Sequence, residues 1–425
     1  MPSLLDDLRW RGLLHQMTDQ DALPARLDGG RLTAYIGFDP SADSLHVGHL
    51  QQVCLLRRLQ DHGHRPIALV GGGTGMIGDP SGKSEERNLL SAADLEANTA
   101  GIAAQLARFW DFGSEGGAIL ADNAEWLAGA GLLEFLRDVG KHFSVNEMVR
   151  KDSVRARLEG REEGLSFTEF SYTLLQAWDF VQLHDRYRCE LQLGGSDQWG
   201  NIVEGVDLIR RLRGAQAFGM TSPLVTKADG SKFGKTEAGS VWLSEARTSP
   251  YDFYQFWLRT ADAEVGPYLR RFTFLTRDKI EELDAATAAR PERREAQRRL
   301  AAEMTSMVHG SDEAARAERA AAVLFTEGVA GLDAATLGGA LADAPTTRVT
   351  PGDLEEGLPL VEVLVRTGLA GSRANARQLL AQGSIHVNGR RAAPDASIGP
   401  DEALHGRWVV VRRGKATQHV LVVEA

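Results

Sequence analysis

Residues 31–70 constrain this chain more than any other segment, because they alternate strand, turn, helix and strand within a short span. LTAYIGF (32–38) alternates and is rich in β-formers, so it reads as a strand. DPSADS (39–44) is turn and cap chemistry, with Asp43 and Ser44 as candidate N-caps. LHVGHLQQVCLLRRLQ (45–60) has helical periodicity and stops before Gly63. PIALVGG (66–72) is a short apolar run bounded by Pro and Gly, as expected of a strand buried on both faces of a parallel sheet. Such a unit closes by a right-handed crossover. It predicts an α/β fold around a doubly wound sheet, with ligands taken at the carboxyl ends of the strands.

Helical stretches alternate with the strand-like RCELQLGG (188–195) from about residue 122 to 220, and 250–327 is almost wholly helical in pattern. Residues 328–352 are rich in Gly, Ala, Thr and Pro without a sustained period, which predicts a linker. A compact tail follows over 358–425. It has two helical patterns, then IHVNGRR, RWVVVRR and HVLVVEA as strands, with NGRR (388–391) as a hairpin-like turn. At about 150 residues per domain, 425 residues predict two or three domains.

The net charge of −10 excludes a uniformly basic nucleic-acid binder but leaves room for a local basic patch. Only Cys54 and Cys189 are present, without CxxC spacing, so neither a disulfide framework nor a metal site is expected. No run of 18 apolar residues occurs, and Asp6 and Asp7 stand where a signal peptide needs a basic start. A cytoplasmic chain without a membrane partner is expected.

Five segments carry chemistry. In His46-Val47-Gly48-His49 the two imidazoles stand at i and i+3 on one face of a helix start, where exposed N–H groups favour anions. Gly48 between them leaves the backbone open to a polyphosphate. Lys232-Phe233-Gly234-Lys235-Thr236 lies in the Gly- and Ser-rich run 227–240 and can act as a mobile cationic clamp. GGGTGMIGDPSGKSEER (71–87) resembles a P-loop, but Ile77 stands where that spacing requires Gly. Lys83 and Arg87 remain candidate phosphate contacts there, and Asp79 a candidate for a substrate ammonium. In YTLLQAWDF (172–180), Tyr172, Gln176 and Asp179 recur at i, i+4 and i+7 as a polar stripe in an apolar helix, which needs partners if buried. In QLGGSDQWGN (192–201), Asp197 and Gln198 follow a Gly-Gly turn after a strand, at the expected sheet edge.

Taken together and in this order, these segments resemble the bacterial tyrosyl-tRNA synthetases, a family of class I aminoacyl-tRNA synthetases. HVGH (46–49) is similar to the family's HIGH signature and KFGKT (232–236) to its variant of KMSKS. YIGFDPSADSLHVGHL (35–50), YTLLQAWDF and GGSDQWGN are similar to its amino-acid- and ribose-binding segments, and GSRANARQLLAQGSIHVNGRR (371–391) looks like an S4 RNA-binding domain. The resemblance implies a Rossmann-like parallel-sheet catalytic domain over 1–225. It further implies the KFGKT loop with an α-helical anticodon-binding domain over 226–330, a linker over 331–350, and a small α+β S4-like domain over 351–425. It also implies a homodimer whose substrates are L-tyrosine, ATP with Mg²⁺, and tRNA(Tyr), with no resident prosthetic group.

The resemblance also implies roles residue by residue. Tyr35 and Asp179 would bind the phenolic hydroxyl of tyrosine. Asp79, Tyr172 and Gln176 would hold its ammonium, with Gln198 near its carboxyl. Gly37, Asp39, Gly48, Gly195 and Asp197 would line the nucleotide and ribose site. His46, His49, Lys232, Lys235 and Thr236 would stabilise the phosphates, with Lys83 and Arg87 on the leaving pyrophosphate. Arg373, Arg377, Arg390 and Arg391 would face RNA. From Arg366 to Ala425 nine Lys or Arg stand against four Asp or Glu, a net of +5 inside an acidic chain. A tryptophanyl enzyme is the nearest rival. A small-molecule nucleotidyltransferase would not account for KFGKT or the tail, and an inactive S4 protein would not need the intact signature set.

Overall fold

The computed structural model describes residues 3–81, 90–114, 117–151, 154–155, 165–226, 233–236, 239–325, 329, 331, 334–341, 344–414 and 417–424. The chain forms two compact units, Met1–Leu243 with Pro267–Thr276, and Ser244–Gly266 with Arg277–Ala425.

The first unit is built on a six-stranded sheet of β1 (Gln16–Met17), β2 (Thr33–Phe38), β3 (Arg65–Val70), β4 (Ile119–Asp122), β5 (Cys189–Gly195) and β6 (Phe218–Ser222). Their order is β1-β6-β5-β2-β3-β4, with all pairs parallel except β1 with β6. β3 is buried along five of its six residues, as a parallel strand covered on both faces must be. Chain order runs outward from β2 to β3 and β4 on one side, and through β5 and β6 on the other. The strand order therefore reverses between β2 and β5, where an open α/β sheet leaves a crevice. The expected strands at 32–38, 66–72 and 188–195 all form, within two residues at their ends.

The helix expected over 45–60 begins differently. A 3-10 turn over Val47–His49 leads into the helix Leu50–Asp61, and neither Asp43 nor Ser44 caps it. His46 is the N-cap: its Nδ1 accepts from Gly48 N (3.1 Å), while His49 Nδ1 accepts from His46 N (3.1 Å). The Ser44 hydroxyl instead donates to Leu45 O at 2.8 Å.

The second unit starts with helices Pro250–Leu258, Arg277–Ala289, Glu295–His309 and Ser311–Phe325. The first of these is capped by Ser249, with Pro250 in its opening turn. The tail carries a five-stranded sheet in the order Arg390–Arg391, Ile385–Val387, Trp408–Arg413, Thr417–Val423, Thr346–Val349. Helices Leu360–Arg366 and Arg373–Ala381 close its core with Leu364, Leu380, Ile385, Val409 and Leu421. NGRR forms the expected hairpin, with positive φ at Asn388 (44°) and Gly389 (82°).

The segment expected to be a linker, 331–350, carries helix Ala334–Leu341 and strand Thr346–Val349. That strand pairs in parallel with Thr417–Val423, Thr346 opposite Val420. Four residues have too little length to show a period, and their partner lies far along the chain.

Candidate active site

β2 pairs with β5 only as far as Tyr35 opposite Gln192, but with β3 as far as Phe38 opposite Val70. Beyond Tyr35 the two central strands no longer pair. Gly37 is exposed on β2, Gly195 closes β5, and Asp197 follows it in the turn Ser196–Gln198. Asp39 sits just past the end of β2. At Gly71, just after β3, a Cβ would run into the Asp39 carboxylate and the Thr74 hydroxyl, so only glycine lets that loop close on Asp39.

Tyr35 and Asp179 are almost fully buried. Tyr35 is 1% exposed, and its hydroxyl has no hydrogen-bond partner. It shares a core with Phe180, the two rings 5.3 Å apart. Asp179 is 2% exposed on the helix Phe167–Tyr187, where the spacing with Tyr172 and Gln176 placed it. Trp126 Nε1 donates to Asp179 Oδ1 (2.7 Å) and Asn123 Nδ2 donates to Oδ2 (2.9 Å). Burial pushes the Asp179 carboxyl up to about 7, although both donors pull the other way. Burial, then the Asp179 charge, raises the Tyr35 phenol well above its ordinary range, so it stays a hydroxyl.

From Asp179 a chain of hydrogen bonds runs to Asp39. Asn123 Nδ2 also donates to Thr74 Oγ1 (2.9 Å), Thr74 Oγ1 donates to Asp39 Oδ1 (2.9 Å), and Tyr172 OH donates to Asp39 Oδ2 (2.8 Å). A second cluster stands beside it. Gln198 Nε2 donates to Asp79 Oδ2 (2.7 Å), Gln176 Nε2 to Gln198 Oε1 (3.2 Å), and Asn201 Nδ2 to Gln176 Oε1 (3.1 Å). Tyr172, Gln176, Asp179, Asp39, Asp79 and Gln198 are thus joined through two networks. Asn123, Trp126, Thr74 and Asn201 were missed in the sequence. The signal available was Asp122-Asn123, a polar pair closing the apolar strand β4 at the same sheet edge as Asp39.

The two signatures meet. The His46 and His49 rings lie 4.1 Å apart, on one face as their spacing required. Each Nδ1 accepts from a backbone N–H, which assigns the ring proton to Nε2. Burial of the ring and the adjoining His46 push His49 down to about 3, so it stays neutral. Val47 N donates to Val241 O (3.0 Å), Leu243 N to Leu45 O (2.8 Å), and Val241 N to Gly234 O (3.0 Å). Gly234 has φ +81°, and a Cβ there would lie 2.6 Å from Val47 Cγ2. Phe233, 8% exposed, stacks on Phe272 with centroids 5.4 Å apart. Phe233 and Gly234 therefore sit beside the HVGH turn within the first unit, whereas the resemblance grouped the KFGKT loop with the helices of 226–330.

Lys235 and Thr236 pair through the main chain with Ser240 and Gly239. Lys83, Arg87 and Lys232 lie outside the described residues. In the second unit Arg373, Arg377, Arg390 and Arg391 are all exposed. Arg373 pairs with Glu362 at 3.0 Å.

Comparison with known proteins bears on this geometry. Residues 27–326 match the family "tRNA synthetases class I (W and Y)", and 337–422 match "Tyrosine--tRNA ligase SYY-like C-terminal domain". The chain is 52% identical to a Tyrosine--tRNA ligase of Roseiflexus castenholzii, over 99% of both chains. It is 49% identical to that of Geobacillus stearothermophilus, over 98% of this chain and 99% of the other. A C-terminally truncated mitochondrial tyrosyl-tRNA synthetase of Aspergillus nidulans superposes with a TM-score of 0.68 at 33% identity, covering 75% of this chain and 93% of that one.

Proposed function

The chain belongs to the class I tRNA synthetases of the tryptophan and tyrosine type, and on that premise we propose that it attaches L-tyrosine to tRNA(Tyr) at the expense of ATP. The tyrosine carboxylate attacks the α-phosphate, giving tyrosyl-adenylate and pyrophosphate. A ribose hydroxyl at the tRNA 3′ end then attacks the acyl carbon and releases AMP.

The observation that carries the choice of amino acid is the buried pair Tyr35 and Asp179. A buried carboxylate at Asp179 stands ready to accept, and a buried hydroxyl at Tyr35 has nothing to donate to. A phenol satisfies both, because its O–H donates and its oxygen accepts. An indole N–H only donates, and phenylalanine does neither. Leaving such groups unpaired costs about 1–3 kcal/mol each. This is the physical argument against the tryptophanyl alternative.

Asp79, Tyr172 and Gln176 hold the tyrosine ammonium, and Gln198 orients its carboxyl. Gly37, Gly48, Asp39, Gly195 and Asp197 receive the nucleotide and its ribose. Catalysis needs no protein nucleophile. It rests on positioning and on donors aimed at charge that grows on the phosphates. His46 and His49 supply Nε2–H donors. Lys232, Lys235 and Thr236, with Lys83 and Arg87, supply cations and a hydroxyl to the Mg²⁺-bound triphosphate substrate.

The helices of 250–325 serve as the anticodon-binding part, and the tail of 351–425 as the S4-like part, with the exposed arginines on RNA phosphates. The enzyme acts as a cytoplasmic homodimer. Exposed Leu132, Leu133, Leu136, Val145 and Phe167 in the first unit support that reading, since apolar side chains of this size are usually covered.

The test is tyrosine-dependent exchange of pyrophosphate into ATP, run beside tryptophan and phenylalanine. Exchange with tyrosine alone is expected. Exchange with tryptophan instead would overturn the assignment.

A further inference from the structure

Away from the crevice, the first unit buries two guanidinium groups that none of these steps uses. Arg11, just after the helix Leu4–Trp10, is 6% exposed, and Arg58, on Leu50–Asp61, is 3% exposed. They share one carboxylate. Arg11 Nε lies 2.8 Å from both Asp7 oxygens, and Arg58 Nη1 lies 3.8 Å from Asp7 Oδ2. Two buried cations against one anion are a poor choice for stability alone.

Three of their Nη groups converge on one short segment. Arg11 Nη1 donates to Arg270 O (3.0 Å) and Thr273 O (3.3 Å), and Nη2 to Leu275 O (3.0 Å). Arg58 Nη2 donates to Thr273 O, and its guanidinium lies 4.7 Å over the Phe274 ring. Cys54 Sγ donates to Phe272 O (3.2 Å), and Thr273 Oγ1 to Leu269 O (2.6 Å). The helix Asp262–Phe272 ends here, and cations suit the negative end of a helix.

That clamped segment seats the signature loop. Phe233 stacks on Phe272 (16° between rings) and meets Tyr268 edge-on at 5.2 Å, and a Cβ on the next residue, Gly234, would lie 2.6 Å from Val47 Cγ2 of HVGH. We propose that Arg11 and Arg58 are positioning residues for tyrosine activation: by fixing residues 269–275 they hold the aromatic seat of Phe233, and so set where the KFGKT loop stands over the HVGH turn. Arg58 stays charged at neutral pH, although burial, then Arg11, lowers it to about 10. The inference rests on the reading of the chain as a tyrosine-activating enzyme.

Arg58→Met, Phe233→Ala and the double variant, made in the full chain, test it. Three quantities are measured: melting temperature, tyrosine affinity without ATP, and the rate of tyrosine-dependent pyrophosphate exchange. Each single variant is expected to lower kcat on the order of 10- to 100-fold, as a small misplacement of catalytic groups does. Tyrosine affinity is expected to stay unchanged. The double variant is expected to be no slower than the slower single one, because both changes remove the same seat. Multiplicative losses in the double variant, an equal fall in tyrosine affinity, or a folded Arg58→Met with full activity would each overturn the proposal. If Arg58→Met does not fold, Arg58→Lys carries the same test, since it keeps the charge and loses the fork. Absence of exchange in the unmodified chain would instead refute the activity itself.

Discussion

In its proposed role, Asp179 would serve selection at a cost to the fold. Its carboxyl is raised to about 7 by burial, whereas an unfolded chain releases that proton near 4. Between those values the folded state holds a proton that the unfolded state does not. Stability therefore falls as pH rises from about 4 to 7, by on the order of 4 kcal/mol, and levels off above. Asp179→Ala is expected to flatten that part of the pH–melting curve and to abolish tyrosine activation. A variant with an unchanged pH slope would show that the carboxyl is not the titrating group. The sequence placed Asp179 on the right helix face, because i, i+4, i+7 is a property of the helix itself. It did not supply Asn123 or Trp126, which arrive from beyond β4.

At the scale of elements, the site depends on which short segments touch. The segment 45–49 that carries HVGH and the loop at 233–243 are far apart in the chain, yet two backbone hydrogen bonds join them, Val47 N to Val241 O and Leu243 N to Leu45 O, and a third, Val241 N to Gly234 O, ties the loop to itself. Gly234 is where the fit is tightest. Gly234→Ala must adopt a left-handed backbone, costing roughly 1–2 kcal/mol, and must also displace Val47. The expected outcome is pyrophosphate exchange slowed on the order of 10- to 100-fold, with tyrosine affinity intact. Unaltered exchange would mean the loop does not act through this contact. The helix start teaches the same lesson. Cap chemistry in the sequence pointed to Asp43 and Ser44, but His46 took the cap because its ring nitrogen reaches Gly48 N.

For the whole molecule, the two compact units interleave along the chain. Residues 267–276 belong with the first unit, and the stretch expected as a linker contributes a strand to the tail sheet. No helix among the described residues is long and apolar enough to cross a membrane. The exposed leucines on Leu132–Asp138 belong to this scale. Leu133, 80% exposed, is the most open of them. If the proposed homodimer forms through this face, Leu133→Glu is expected to yield monomers in light scattering. A particle that stays dimeric would place the interface elsewhere.

The α/β class, the strand–HVGH–helix unit, the polar stripe of Tyr172, Gln176 and Asp179, and the basic tail within an acidic chain are legible in the residues alone. Each of these is local: a period, a turn or a run of charge is complete within a few residues. That Tyr35 OH lacks a partner while Asp179 has two, that Phe233 stacks on Phe272, and that Arg11 and Arg58 donate to the carbonyls of Arg270, Thr273 and Leu275 emerges only once the chain is folded. Those are pairings across the sheet and between distant segments. They follow from how buried polar groups must be satisfied once the core closes, and no local pattern in the chain records them.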